Sequence, residues 1–252
     1  MDWTAWIERF GEPAVLAVCG ALVGAGFGFF GQRSRFCLRA AVIEFWHHKF
    51  GDKLAVWLLA FATAVVGVQL MVLLGGLDLS SARQLSARGS LSGALIGGLI
   101  FGVGMVMTRG CASRLLVLSA NGNLRALLSG LVFAVTAQAA LGGILAPWRE
   151  ALSALWTVDG GDSRNLLALT GVGPWGGLAF GLLWLAAALF FAVRSGWGFW
   201  KWFGGLGTGL MVALAWAGTY QVMSHSFEVV QIQGMTFSGP SAEWLMRVMH
   251  WP

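Results

Sequence analysis

Charge is scarce in this sequence. Only 11% of its 252 residues are Asp, Glu, Lys or Arg, against about 25% in a soluble globular domain. So little charge cannot clothe a water-facing surface. Cysteine is also scarce: Cys19, Cys37 and Cys111 include no C-x-x-C pair, which excludes a disulfide framework and a zinc spacing. No basic segment precedes the first apolar run, since the chain opens MDWTAWIERFGE. That opening predicts no cleaved secretory peptide and retention of the first span. No long basic tail accompanies the net charge of +5, so nucleic acid is not the implied partner. The cations read as topology signals or as anion ligands inside a fold.

What is present is apolar residues (57%), 37 glycines and 14 tryptophans. Mean hydropathy is +0.73. Stretches free of Asp, Glu, Lys and Arg number 20 residues between Glu12 and Arg33, 24 between Lys53 and Asp78, and 20 between Arg88 and Arg109. Three more contain 23 between Arg125 and Arg149, 29 between Arg164 and Arg194, and 26 between Lys201 and Glu228. A helix needs about 20 residues to cross the hydrocarbon, so six spans are the minimum reading. They run from about Pro13 to Phe30, Lys53 to Leu74, Leu91 to Thr108, Leu124 to Ala146, Pro174 to Val193 and Trp202 to Val222. Continuous apolar runs exclude a transmembrane barrel, whose strands alternate over about 10 residues. The fold class is all-α: a polytopic membrane protein with the bilayer as its surroundings.

An internal repeat emerges at an offset of 74 residues, which lays Gly24 on Gly98, Phe27 on Phe101, Gly28 on Gly102, Arg35 on Arg109 and Cys37 on Cys111. Residues 13–74 form repeat one, 91–146 repeat two, and 174–252 the start of an incomplete second half, within one membrane domain over 1–252. Each repeat is a Gly-rich span, an Arg-x-Cys loop, a short helix and a second span. The short pieces, Phe36–Trp46 and Cys111–Ser119, cannot cross, and read as re-entrant helices and loops. Whether the copies are parallel or inverted stays open. Lys/Arg bias under simple alternation favours an amino terminus outside, but it rests on Arg33, Arg35, Arg39, Arg109 and Arg114 of the inward-folding loops and disappears without them, so orientation stays open. Asn123 is placed to cap the helix opening at Leu124.

Gly24, Gly28, Gly98 and Gly102 have the i, i+4 spacing of helix-packing faces. Beyond them, Ser34, Arg35 and Cys37, and Arg109, Gly110, Cys111 and Ser113, stand in loops near the interface. Irregular backbone at that depth must line protein or a wet cavity. Helix N-termini with neighbouring cations favour an anion. Thiols add soft sulfur, suited to a sulfur-bearing ligand. Arg33, Arg114 and Asn121 form a secondary set. Competing readings are plainer: Arg33, Arg39, Arg114 and Arg125 as snorkelling interface cations, and Cys19 as a small core residue. His47 and His48 fit a basic rim, and Trp197, Trp200 and Trp202 an aromatic belt. Asp159 to Asp162 form a turn lacking the ligands of a calcium loop. No cofactor or metal site is indicated.

The strings GQRSRFCLRAAV (Gly31 to Val42) and RGCASRLLVLSANGNLRAL (Arg109 to Leu127), with MTFSGPSAEWL (Met235 to Leu245), resemble the YeeE/YedE family of bacterial inner-membrane proteins. The resemblance implies thiosulfate uptake through polar loops that fold inward and carry cysteines to a central anion path. By motif those cysteines are Cys37 and Cys111, whereas Cys19 lies within a span. It also implies a small cytoplasmic sulfur-carrier protein as a partner. Long members continue past the GPSAE segment to a further Gly-Cys loop, while this sequence stops at Trp251 and Pro252. A fragment, or a wall completed by another subunit, is therefore expected. The rival classes are a membrane thiol oxidoreductase or sulfurtransferase acting through Cys111, with thiolate chemistry near Arg109, and a packing subunit.

Overall fold

The computed structural model describes residues 3–49, 51–79, 82, 87–161, 165–226 and 232–249. Asp162, Trp251 and Pro252, named above, lie outside them. The described residues are mostly helical, with almost no strand. The helices are α1 (Trp3–Phe10), α2 (Glu12–Ser34), α3 (Leu38–Trp46), α4 (Asp52–Leu73), α5 (Leu91–Met107), α6 (Ala112–Ala120), α7 (Leu124–Gly142), α8 (Ala146–Ala154), α9 (Leu166–Thr170), α10 (Gly173–Arg194), α11 (Phe199–His225) and α12 (Ser238–Met249), and the long ones follow the charge-free runs. Two-residue strands β1 (Gly89–Ser90) and β2 (Thr157–Val158) pair antiparallel, with Gly89 opposite Val158. Five helical segments among the described residues are long and apolar enough to cross a membrane: Glu12–Trp46, Asp52–Leu73, Leu91–Ala120, Leu124–Gly142 and Trp175–Arg194. The sixth run forms the 27-residue α11, whose glycines, Lys201, Tyr220 and Gln221 dilute its hydropathy.

The chain divides into two compact units. The first comprises Met1–Phe36, Ala40–Ala87 and Gly160–Met235. Its long helices form a row in which α11 packs against both α2 and α4, and α4 packs against α10. Close approach comes from glycine. A Cβ on Gly204 would stand 2.7 Å from Ser34 Cβ and 2.9 Å from Phe30 O, and one on Gly205 would stand 2.9 Å from Leu59 Cδ2. At Gly209 it would strike the Ala60 carbonyl oxygen and stand 2.7 Å from Thr63 Cβ. Missing side chains let backbones meet and add dispersion contacts, which is how helices associate where lipid is as apolar as leucine. The start of α11 thus meets the end of α2, while Ser226, just past α11, donates to Glu12 at the start of α2. The two run antiparallel.

Polar groups fasten this unit at its ends. Glu44 Oε2 accepts the N–H groups of Lys53 and Leu54, both at 2.9 Å, so a carboxylate satisfies the orphan donors of α4 at its positive dipole end. Asp52 accepts Trp197 Nε1–H at 3.1 Å and pairs with Lys201, tying α4 to α11. Arg33 lies 4.5 Å from the Trp200 ring centroid and 5.6 Å from that of Phe29, a cation–π contact within an aromatic belt.

The glycine expectation for α2 and α5 fails. Gly24, Gly28, Gly98 and Gly102 have open space where a Cβ would go. An i, i+4 spacing marks a face without bulk and names no partner; in the first unit the close contacts fall to other glycines, Gly204, Gly205, Gly207 and Gly209 of α11, Gly177 and Gly181 of α10, Gly67 of α4 and Gly26 of α2.

The second unit comprises Cys37–Arg39, Arg88–Asp159 and Thr236–Pro252. In it α7 packs against α6 and α12, and α5 against α8. Ser90 caps α5 by accepting Gly93 N–H at 2.8 Å and donates to Ser153 O at 2.6 Å, while Ser92 donates to Leu152 O at 2.8 Å. Asn123 caps α7 as expected, its Oδ1 accepting Ala126 N–H at 3.1 Å. The outer face of α5 is bare: Leu95, Leu99, Ile100 and Val103 are each more than 60% exposed, a surface for acyl chains rather than water.

Candidate functional site

Two bends carry the residues singled out in the sequence. At the first, α2 ends in a paired capping turn: Phe36 N–H reaches Gly31 O at 2.9 Å and Arg35 N–H reaches Gln32 O at 3.2 Å. This pattern demands a left-handed residue, normally glycine. Here it is Arg35, at φ 54 and ψ 39. At the second bend Thr108 N–H bonds Gly104 O at 2.9 Å and Arg109 N–H bonds Val106 O at 3.3 Å. Arg109 takes φ 59, although a glycine follows it. The Thr108 hydroxyl braces this bend, 2.9 Å from Gly104 O and 3.0 Å from Gly110 O. A non-glycine residue in this region costs of order 1–3 kcal/mol, and such strain clusters at functional sites.

Each bent arginine is exposed and is followed two residues later by a cysteine and then a nine-residue helix. Cys111 is buried at 7% exposure and stands at the N-cap of α6, which no side chain caps. The first N–H groups of α6 therefore remain available to an anion or water. Cys111 Sγ is 3.2 Å from the hydroxyl of Ser113, itself buried. Gly110 is buried, with the stem of Arg114 packed 3.5 Å from where its Cβ would be. Cys37 is half-buried and, with Leu38 and Arg39, packs in the unit that holds Cys111.

The remaining sequence candidates are engaged locally. Ser34 is buried in the first unit, donates to Phe30 O at 2.8 Å and abuts Gly204. Asn121 ends α6, its Nδ2–H reaching Val117 O at 2.6 Å. Arg33 covers its two rings. Cys19 lies mid-α2 on an apolar groove shared with Trp3, Trp6, Phe10 and Val18, the surroundings of a packing thiol. Sequence reading missed Arg39 as a site residue: its Nε is buried and finds no hydrogen-bond partner among the described residues. The signal available was its place two residues after Cys37.

Apolar helices of spanning length, with exposed faces of leucine, isoleucine and valine, define a multi-pass helical membrane protein. The Sulphur transport family profile matches residues 33–251, and the chain belongs to that family. A curated relative, the thiosulfate transporter TsuA of Spirochaeta thermophila, is 33% identical over 131 residues. The match covers 51% of this chain and 38% of that protein, so the chain matches well under half of the relative's length.

Proposed function

We propose that the protein carries a small sulfur-containing anion, thiosulfate foremost, across the bacterial inner membrane along a path on which Cys37 and Cys111 are stations. Arg35 and Arg109 supply positive charge, Ser34, Gly110 and Ser113 shape the bends, and Arg33, Arg114 and Asn121 stand behind them. The observation that carries this is the pair of strained arginines, each followed two residues on by a cysteine, at the same 74-residue offset. Two equal departures from the glycine rule at matching places support a duplicated functional bend, dipping inward as a re-entrant loop. Family membership and the name of the relative support the sulfur anion as cargo. They favour transport over a sulfurtransferase acting through Cys111.

The physical scheme is weak binding in series. Arginine charge and open helix N-termini offset the cost of bringing an anion out of water. Thiols contact its terminal sulfur without a lasting covalent bond, because conduction needs release as well as entry. Within the first unit, Arg33, Lys49, Lys53, Arg194 and Lys201 gather at the end where α2 and α10 finish and α4 and α11 begin. That bias supports a cytoplasmic face there, with the amino terminus outside. A small sulfur-carrier protein collecting the anion at that face completes the proposal. The test is growth on thiosulfate of a bacterium lacking its own uptake system. Cys37→Ala and Cys111→Ala are each expected to abolish growth at unchanged membrane abundance. Normal growth of both removes the thiols from the path.

A further inference from the structure

Three buried side-chain polar atoms find no hydrogen-bond partner among the described residues: Arg39 Nε, Thr63 Oγ1 and Trp184 Nε1. Arg39 alone carries a charge. An unpaired buried donor on a guanidinium loses its solvation without return. Its position compounds the cost. Arg39 is the second residue of α3, where the helix dipole is already positive and a cation is disfavoured. An anion beside Nε would meet both deficits.

The repeat aligns Arg39 with a residue that touches its own cysteine. The offset that lays Cys37 on Cys111 lays Arg39 on Ser113. In the second bend the residue two beyond the cysteine turns back to the thiol, with Ser113 Oγ 3.2 Å from Cys111 Sγ. In the first bend the same position holds Arg39, in a segment packed with the unit that contains Cys111 and Ser113. We propose that Arg39 is a specificity-determining anion ligand at the Cys37 station, which makes the two thiol stations unequal. The Cys37–Arg39 station captures its ligand by charge, and the Cys111–Ser113 station holds it by neutral hydrogen bonding and releases it. This rests on the reading of both cysteines as stations. It adds that charge selects the ligand at the first station, so that a neutral thiol compound is a poor competitor.

The experiment measures concentration-dependent thiosulfate uptake into vesicles holding wild type, Arg39→Ser, Arg39→Lys or Cys37→Ala, with membrane abundance measured in parallel. Arg39→Ser gives the first bend the residue of the second. It is expected to raise KM about tenfold or more, the scale of a lost charge-assisted hydrogen bond, with maximal rate per molecule nearly kept. Arg39→Lys keeps the charge and loses the Nε–H, so it falls between. A merely structural arginine would instead lower abundance or maximal rate at constant KM. Wild-type KM in both Arg39 variants overturns the proposal, also where Arg39→Ser is poorly produced and Arg39→Lys alone can be measured. If Cys37→Ala also transports normally, the reading of the thiols fails with it. If Cys37→Ala is dead while both Arg39 variants keep the wild-type KM, only the role of Arg39 falls.

Discussion

Arg109→Gly separates strain kept for function from strain kept by accident. Arg109 sits at φ 59, where its Cβ crowds the following carbonyl at a cost of roughly 1–2 kcal/mol. Glycine removes that cost but returns about 0.5–1 kcal/mol through its greater freedom in the unfolded chain. Arg109 is exposed and makes no ion pair among the described residues, so its deletion leaves no partner stranded. The net expectation is a gain of about 0.5–1 kcal/mol, which in a chain of this size raises Tm by roughly 1–4 °C. Thermal unfolding in detergent measures it, with thiosulfate uptake as the companion assay. Arg109→Ala is the control: it keeps the strain and removes the charge, so Tm holds and uptake falls. A stabilised Arg109→Gly with uptake lost supports a bend strained for function. Lower Tm, or full uptake at higher Tm, refutes the reasoning. Arg35→Gly is expected to behave alike.

Further expectations concern the scaffold. Gly209→Ala forces a methyl against the Ala60 carbonyl and should cost about 1–3 kcal/mol as overpacking, read as a lower Tm. Gly98→Ala meets open space and should gain up to about 1 kcal/mol from helix propensity. Asn123→Ala removes the cap on Ala126 N–H and should cost about 1 kcal/mol, seen as faster hydrogen exchange in the first turn of α7.

Much of the scaffold was legible because charge is so costly in lipid. The spans placed in the charge-free runs match α2, α4, α5, α7, α10 and α11 to within about four residues at either end, and Asn123 announces the start of α7. The sixth run is the exception in character: it is a helix, but Gly204, Gly205, Gly207 and Gly209 serve contact rather than hydropathy. Which glycines pack was not legible, because spacing identifies a bare face and tertiary arrangement supplies its partner. Nor were the left-handed arginines, since every local rule assigns that conformation to glycine, and Gly110 stands next to Arg109 unused. The Cys111–Ser113 contact and the unpaired Arg39 Nε depend on how the short helices turn back. Sequence offers only the two-residue spacing that both share.

Initial rates of labelled thiosulfate uptake into vesicles of defined lipid, compared for wild type, Cys37→Ala and Cys111→Ala at matched protein content, test the thiol-lined path most directly. Saturable uptake by wild type that each single substitution removes is the predicted result. Uptake by both variants at the wild-type rate contradicts it.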